Sequence, residues 1–479
     1  MKTCTACLLI FMFILVAACK KKPDGIEIYR SIGKEFEMGN LKNTLNLVDS
    51  LKNACPEEIK LIRKADSLAQ IAERINLDFS LSEEEIRSRL KESIGDYSPR
   101  EKEMWEERKW LECRMIDGQK RYFKRAASNF NLLKSFSLER AARDSLLAED
   151  PGIIFRKNHT QSLIDASGNE NMPVKPVEML VNYTLTVLPD AVPDGETVRC
   201  WLPWPKENHV RQKNIRLISA SVDDYVISPD SMIHRTIYME AIAEKDKPVT
   251  FDISFSYESY GQYFDLRSLN ILPYNTDSEL YRKYTMEERP HINFSEKVRY
   301  LTDSIAEEED NPFEILKRFY YWINDNIPWA GALEYSIIPD IPDYVISNRR
   351  GDCGMQTFLL MSMLRYKGIP VRWQSGWMMP PGNENLHDWC EVWFEGTGWI
   401  PVDMSYGLQY SSDRNTREFY MSGIDSYRMI VNDGIAGNLY PDKKYLRSEP
   451  YDFQRGELEW SGGNLYFDKW YYEIEIEYR

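Results

Sequence analysis

The stretch Arg350-Gly351-Asp352-Cys353-Gly354, with the apolar segment behind it, decides how this chain is interpreted. A helix is predicted from about Met355 to Tyr366, because the following Lys367-Gly368-Ile369-Pro370 is a Gly-then-Pro stop signal. Cys353 therefore stands at a helix N-terminus, where the helix dipole favours thiolate over thiol. The flanking glycines leave room for a substrate to approach. The stretch predicts a nucleophilic cysteine, and the alternative is a buried structural thiol.

Two polar residues downstream fit the chemistry of such a nucleophile. His387 lies in an alternating strand pattern, and Asp403 ends a second strand after the turn Gly396-Thr397-Gly398. The imidazole can hold the thiolate as an ion pair and protonate the leaving group, while Asp403 can fix the imidazole tautomer. A regular hairpin would put Asp403 on the face away from His387, so we expect an odd-numbered loop or a bulge at the glycines. The alternatives are an ordinary strand histidine and a turn-forming aspartate.

Residues 296–410 resemble the transglutaminase-like superfamily, a branch of the papain-like thiol enzymes. The motifs that carry the resemblance are Asn326-Ile327-Pro328-Trp329, Gly351-Asp352-Cys353-Gly354, the segment 364–372, His387-x-Trp389-x-Glu391-Val392 and Gly398-Trp399-x-Pro401-x-Asp403. The resemblance implies a catalytic triad of Cys353, His387 and Asp403. It also implies an oxyanion hole that uses the backbone N–H of Cys353 and an upstream donor, for which Trp329 is the candidate. The family's usual Asp-Pro is replaced by Asp403-Met404, which changes the local turn.

The rest of the chain predicts a multidomain α+β protein. Two capping boxes, Ser82 to Glu85 and Ser98 to Glu101, indicate helices near the N-terminus, whereas β-branched and aromatic residues from Val177 to Val187 indicate a strand. The predicted order is a signal peptide (1–18), a tether and helical region (19–173), an immunoglobulin-like β-sandwich (174–265), a papain-like transglutaminase-core domain (266–410) and a C-terminal β-rich extension (411–479).

The first residues read as an export signal. Leu8 to Ala18 is an apolar run of 11 residues, and a membrane-spanning helix needs about 20. Val16-Ala17-Ala18-Cys19 looks like a bacterial lipobox, which implies cleavage before Cys19 and a lipid on its sulfur. We therefore expect an envelope protein held by lipid on the periplasmic or surface face of a membrane. The alternative is an ordinary signal peptide with an incidental cysteine.

The charge and composition of the chain argue against some classes of function. The chain carries 60 Lys+Arg against 75 Asp+Glu, a net charge of −15, which argues against nucleic acid as a partner. No HExxH motif is present, so we expect no metal and no other cofactor. We expect amide or peptide hydrolysis on a protein or peptide substrate, with cell-wall peptide among the candidates. A cross-linking transglutaminase, a non-catalytic peptide- or glycan-binding lipoprotein and a scaffold lipoprotein remain alternatives.

Overall fold

The computed structural model describes residues 24–137, 150–168, 171–268 and 271–479. The expected signal peptide and the expected lipidation site, Cys19, lie outside these residues. The chain divides into two compact units, one of residues up to Asn76 together with Met115–Lys120, the other of Leu77–Arg114 and Arg121–Arg479. Within the described ranges, no helix is long and apolar enough to cross a membrane.

The first unit is helical. It contains α1 (Gly25–Glu37), α2 (Leu41–Ala54) and most of α3 (Ile59–Asp78). Asp24 caps α1 by accepting a hydrogen bond from the N–H of Ile26 (2.9 Å). Apolar residues at helical spacing then meet in a small core that includes Ile32, Val48 and Leu51.

Among the described residues, the second unit contains the other helices and nearly all of the strands. The remaining helices are α4 (Glu83–Ile94), α5 (Pro99–Glu107), α6 (Ala126–Phe136), α7 (Pro151–Ser167), α8 (Glu279–Thr285), α9 (Glu296–Ala306), α10 (Pro312–Asn326), α11 (Ile341–Asn348), α12 (Cys353–Tyr366) and α13 (Arg414–Arg417). The short hairpin β1 (Cys113–Ile116) and β2 (Gln119–Tyr122) crosses the boundary between the units. Both expected capping boxes are present at the starts of α4 and α5.

Two five-stranded sheets pack on a common apolar core. The strands are β3 (Val174–Val187), β4 (Thr197–Pro203), β5 (Gln212–Ala220), β6 (Val226–Ile227), β7 (Thr236–Ile242), β8 (Val249–Tyr263), β12 (Gly423–Ile424), β14 (Glu457–Trp460), β15 (Gly463–Leu465) and β16 (Trp470–Tyr478). One sheet has the order β12-β8-β3-β16 with β5 beside β8, and the other has the order β15-β14-β4-β7-β6. Tyr183, Trp201 and Phe255 are among the core residues that the sheets share.

The C-terminal strands are members of these sheets. Strand β16 pairs along its whole length with β3, from Trp470 opposite Val187 to Tyr478 opposite Met179, and β14 pairs with β4. The alternating burial expected for residues 470–478 is present. Residues 457–478 therefore complete the sandwich, whereas the sequence suggested a separate extension. The immunoglobulin-like assignment stays a prediction.

A third sheet carries the polar residues singled out from the sequence. It is antiparallel with the order β11-β10-β9-β13, formed by β9 (Val371–Met378), β10 (Asn385–Phe394), β11 (Gly398–Val402) and β13 (Arg428–Asn432). Trp377 of β9 is fully buried in the sandwich core, 5.1 Å from the ring of Tyr183, and its indole N–H donates to the carbonyl of Gln454 (2.9 Å). The third sheet and the sandwich therefore share apolar packing.

We predict that Trp377→Ala destabilises the second unit by about 3–5 kcal/mol, because it leaves a cavity between the sheets and removes a buried hydrogen bond. Denaturant unfolding followed by near-ultraviolet circular dichroism measures the loss. Tyr300→Ala is the control, because that ring is 79% exposed and surface truncations usually stay within about 0.5 kcal/mol. Equal effects of the two substitutions would contradict the shared core.

Candidate active site

Cys353 is the first residue of α12, and its position is held by Asp352. The Asp352 carboxylate caps the helix by accepting from the N–H of Met355 (3.0 Å) and from the hydroxyl of Tyr335 (2.6 Å). Cys353 is half-buried and lines a cavity of about 180 Å³. Trp329, which is 41% exposed, also lines this cavity. The expected helix with a cysteine at its N-terminus is therefore present.

The segment that follows α10 runs beside the start of α12. Trp329 and Gly351 form an isolated parallel bridge, in which the N–H of Ala330 donates to the carbonyl of Gly351 (3.1 Å) and the N–H of Gly351 donates to the carbonyl of Pro328 (3.2 Å). These bonds hold the Trp329 backbone two residues from Cys353. Its role as an oxyanion donor stays a prediction.

Gly354 is needed for close packing at the start of α12. A Cβ atom at this position would collide with the hydroxyl of Tyr335 and would lie 2.6 Å from Oδ2 of Asp388. The space beside the glycine, which the sequence assigned to a substrate, is occupied by the protein's own side chains. Gly354 thus brings strand β10 and its carboxylate up to the helix N-terminus.

Asp388 is the polar partner of the Cys353 thiol. The Sγ of Cys353 lies 3.4 Å from Oδ2 of Asp388, and the amide of Gln454 donates to Oδ1 of the same carboxyl (2.7 Å). Burial, followed by the nearby Asp388 and Asp352, raises the pKa of the Cys353 thiol well above its usual value. Burial, followed by Asp452 and Asp352, likewise raises the pKa of Asp388.

The hairpin of β10 and β11 has the odd-numbered loop that we expected. Phe394 pairs with Gly398, so three residues form the loop, and Gly396 and Gly398 adopt φ values of +86° and +107°. Asp403 consequently shares a face with His387. Their side chains are joined by a 2.7 Å hydrogen bond between Nε2 and Oδ2.

Arg428 completes a buried charge network around this pair. Its guanidinium forms ion pairs with Asp403 (2.9 Å) and with Asp425 (2.6 Å). Burial alone would raise the pKa of Asp403, but His387 and Arg428 hold that pKa well below its usual range. Burial lowers the pKa of His387, although Asp403 acts in the opposite direction. The net lowering of the His387 pKa favours the neutral imidazole.

The structure joins two of the three predicted catalytic groups, His387 and Asp403, and gives the Cys353 thiol Asp388 as its hydrogen-bond partner. His387 and Asp388 are consecutive in β10, and consecutive side chains of a strand point to opposite faces of the sheet. Cys353 contacts Asp388, whereas His387 contacts Asp403. Among the described residues, no hydrogen bond joins the thiol to the imidazole. The thiol therefore has a carboxyl as its neighbour, where the sequence predicted an imidazole.

Residues 299–404 match the family described as the transglutaminase-like superfamily. This part of the chain belongs to that superfamily. The transglutaminase-like core covers most of α9 through β11, and it includes Cys353, His387 and Asp403. Members of the family are cysteine-based enzymes.

Two curated relatives resemble parts of this chain. A protein-glutamine gamma-glutamyltransferase of Pseudomonas aeruginosa is 25% identical over 166 residues, which are 32% of this chain and 22% of that protein. The protein YebA of Bacillus subtilis, which has no described function, is 25% identical over 148 residues, 27% of this chain and 20% of YebA. The chain thus spans about a fifth of the length of each.

Solved structures with similar features include two bacterial proteins. A candidate cysteine protease from Cytophaga hutchinsonii is 12% identical with a TM-score of 0.44, covering 64% of this chain and 92% of that one. The periplasmic domain of TgpA from Pseudomonas aeruginosa is 14% identical with a TM-score of 0.23, covering 47% of this chain and 87% of that one.

Sequence reasoning missed Asp388, Gln454 and Arg428. Asp388 had a detectable signal, because it directly follows the motif histidine and must face the other side of the same strand. Gln454 and Arg428 lie outside the matched motifs and reach the site through tertiary packing. No local sequence pattern indicates that Gln454 or Arg428 belongs to the site.

We predict that Gly354→Ala destabilises the second unit by about 1–3 kcal/mol, because the added methyl group overpacks the contact with Tyr335 and Asp388. Thermal unfolding measures the effect. Gly33→Ala in α1 is the control, since nothing lies within 4 Å of a Cβ there, and a helical Gly-to-Ala change is stabilising by roughly 0.5–1 kcal/mol. A neutral Gly354→Ala would show that α12 and β10 do not pack this closely.

We predict that Arg428→Met destabilises the protein by about 3–5 kcal/mol at pH 7, because it leaves buried carboxylates without their counter-charge. The loss should shrink below about pH 4, where carboxylates with ordinary or depressed pKa values begin to take up protons. Denaturant midpoints between pH 3 and pH 8 test both parts. Arg87→Met is the control, because its side chain is 68% exposed in an ion pair, and such pairs contribute about 0–1 kcal/mol.

Proposed function

We propose that this protein is a thiol-dependent acyl-transfer enzyme of the cell envelope that uses Cys353 as its nucleophile. The observation that carries the proposal is the thiol at the N-terminus of α12, on the wall of a cavity within a transglutaminase-like core. Backbone N–H groups in the first turn of a helix have no intrahelical acceptor. The N–H of Met355 donates to the Asp352 carboxylate, so the N–H groups of Cys353 and Gly354 are the ones that can stabilise the negative charge developing on an acyl oxygen.

The chemistry proceeds through a thioester. The sulfur of Cys353 loses its proton and attacks the carbonyl carbon of an amide, forming an S–C bond and an oxyanion. The C–N bond then breaks, and the leaving amine takes a proton. Water attacks the thioester in the hydrolytic reaction, and a second amine attacks it in cross-linking. Hydrolysis is our first choice because water is in excess, and cross-linking is the alternative that the gamma-glutamyltransferase relative suggests.

The cavity favours a peptide that carries an amino group. The acidic side chains on its wall are Glu334, Asp352, Asp388, Glu449 and Asp452, and the basic ones are Arg125 and Arg455. Acidic groups in a partly enclosed site attract cations. We therefore propose a protein or peptide substrate, with cell-wall peptide as one candidate.

Envelope location and lipid anchoring are also part of the proposal. They rest on the leader and on Val16-Ala17-Ala18-Cys19. A lipid on Cys19 would hold the enzyme at a membrane surface without a spanning helix. Metabolic labelling with a palmitate analogue tests this, and Cys19→Ala should abolish the label.

A non-catalytic peptide- or glycan-binding protein is the second candidate function. The observation in its favour is that, among the described residues, the thiol bonds to Asp388 and no hydrogen bond joins it to the His387 imidazole. In that case the cavity would bind its ligand without forming a covalent bond.

We predict that Cys353 forms a thioester adduct with an acyl donor. The full-length protein is incubated with a library of amide- and ester-activated peptides, quenched in acid and examined by mass spectrometry of the Cys353 peptide. Cys353→Ala should reduce the adduct to background.

Cys390→Ala is the matched control, because the Cys390 thiol is fully buried and its Sγ lies 3.7 Å from the carbonyl of Val402. This variant should keep the adduct. Reversible binding of peptides with no adduct in the wild type would instead support the binding protein.

A further inference from the structure

A second cavity, of about 250 Å³, lies at the start of α7. It is formed by the first turns of that helix, the loop that follows β9 and the chain around Tyr406. It has no lining residue in common with the cavity at Cys353. Gly152 and Asn383 on its wall are exposed, so a ligand can enter it from the solvent.

Arg156 places a cationic group in the wall of this cavity. Its guanidinium lies over the ring of Tyr406, with Cζ 4.4 Å from the ring centroid. The Nε of Arg156 is buried and has no hydrogen-bond partner among the described residues. A buried donor without an acceptor is costly, and the acceptors that best match a guanidinium are the oxygens of carboxylate and phosphate groups. The cavity wall therefore offers an unused donor for an anion.

The two carboxylates that line the cavity are engaged elsewhere. Oδ1 of Asp150 accepts from the N–H of Ile153 (3.0 Å) and so caps α7. Asp425 forms its ion pair with Arg428 (2.6 Å). Neither acid forms an ion pair with Arg156, but both add negative charge to the wall. Because like charges repel, a ligand with a single negative charge is favoured, which indicates a carboxylate in preference to a phosphate.

Aromatic rings supply the rest of the binding surface. The ring centroid of Tyr427 lies 5.3 Å from that of Phe155 and 5.0 Å from that of His159, in edge-to-face arrangements. All three residues line the cavity together with Tyr406. Aromatic side chains pack well against another ring in such arrangements. An apolar cavity of about 150 Å³ can hold benzene, so this larger cavity has room for one ring and a carboxylate.

We propose that this cavity binds a carboxylate that is carried next to an aromatic ring. Arg156 donates to the carboxylate, and the rings of Phe155, Tyr406 and Tyr427 pack against the ring of the ligand. This binding site is additional to the proposed acyl-transfer function and does not depend on the Cys353 thiol. A small organic acid and the C-terminal residue of a peptide both present this chemistry.

Isothermal titration calorimetry of the full-length protein at pH 7 tests the proposal. The two probes are N-acetyl-L-phenylalanine, which has a carboxylate, and N-acetyl-L-phenylalaninamide, which has the same ring and no charge. We expect the acid to bind about tenfold or more tightly than the amide, because hydrogen bonds between charged groups are the stronger ones. Equal affinities, or no binding of the acid at millimolar concentration, would overturn the proposal.

Substitutions then locate the bound carboxylate. Arg156→Gln should weaken binding of the acid by about tenfold or more, and Arg156→Lys should lie between this variant and the wild type, because lysine keeps the charge without the planar pair of donors. Arg125→Gln is the matched control, since Arg125 lines the cavity at Cys353, and it should bind as the wild type does. Weaker binding in Arg125→Gln with none of it in Arg156→Gln would place the carboxylate in the other cavity and refute the assignment.

A peptide distinguishes the two sources of the carboxylate. The peptide Gly-Gly-Gly-Gly-Phe is titrated with a free and with an amidated C-terminus. Binding of the free form at an affinity similar to that of N-acetyl-L-phenylalanine would identify the C-terminal residue of a chain as the ligand. Binding of the small acid alone would identify an organic acid. The comparison of acid and amide uses the wild-type protein, so it remains decisive if Arg156→Gln does not fold.

Discussion

The close contact between the start of α12 and strand β10 determines what surrounds the Cys353 thiol. Gly354 allows the helix to approach until the Cys353 sulfur and the Asp388 carboxyl are neighbours. Consecutive side chains of a strand point to opposite faces of the sheet. Because the Asp388 side chain points toward α12, the His387 side chain points to the other face. This packing contact therefore decides which side chain of β10 bonds to the thiol.

Strand β10 separates two buried environments with opposite effects on carboxyl groups. On one face, Asp403 lies between His387 and the ion-paired Arg428, and its pKa is depressed. On the other face, Asp388 is surrounded by other acids, and its pKa is raised. The first carboxyl is held as an anion, while burial and neighbouring acids favour the protonated form of the second. Residues one step apart in sequence thus belong to sites of different character.

Local patterns predicted the elements of this protein better than their arrangement. The start of α12, both capping boxes and the glycine-rich loop between β10 and β11 follow from spacing and from the conformations that glycine permits. The same alternation that identified β10 could not say which of its faces α12 covers, because that depends on packing remote in sequence. Arg428 and Gln454 reach the site in the same way. The sequence did not predict that β14–β16 belong to the sandwich, because the pattern of residues in a strand does not show which other strand it pairs with.

The pairing of β3 with β16 has a consequence for how the chain reaches its folded form. During synthesis, β3 emerges long before β16, so one edge of the sandwich has unsatisfied amides until Trp470–Tyr478 arrives. Contacts between such distant segments slow folding, and an open sheet edge recruits strands from other chains. The interval before β16 docks is therefore when this protein is most exposed to aggregation and to chaperones.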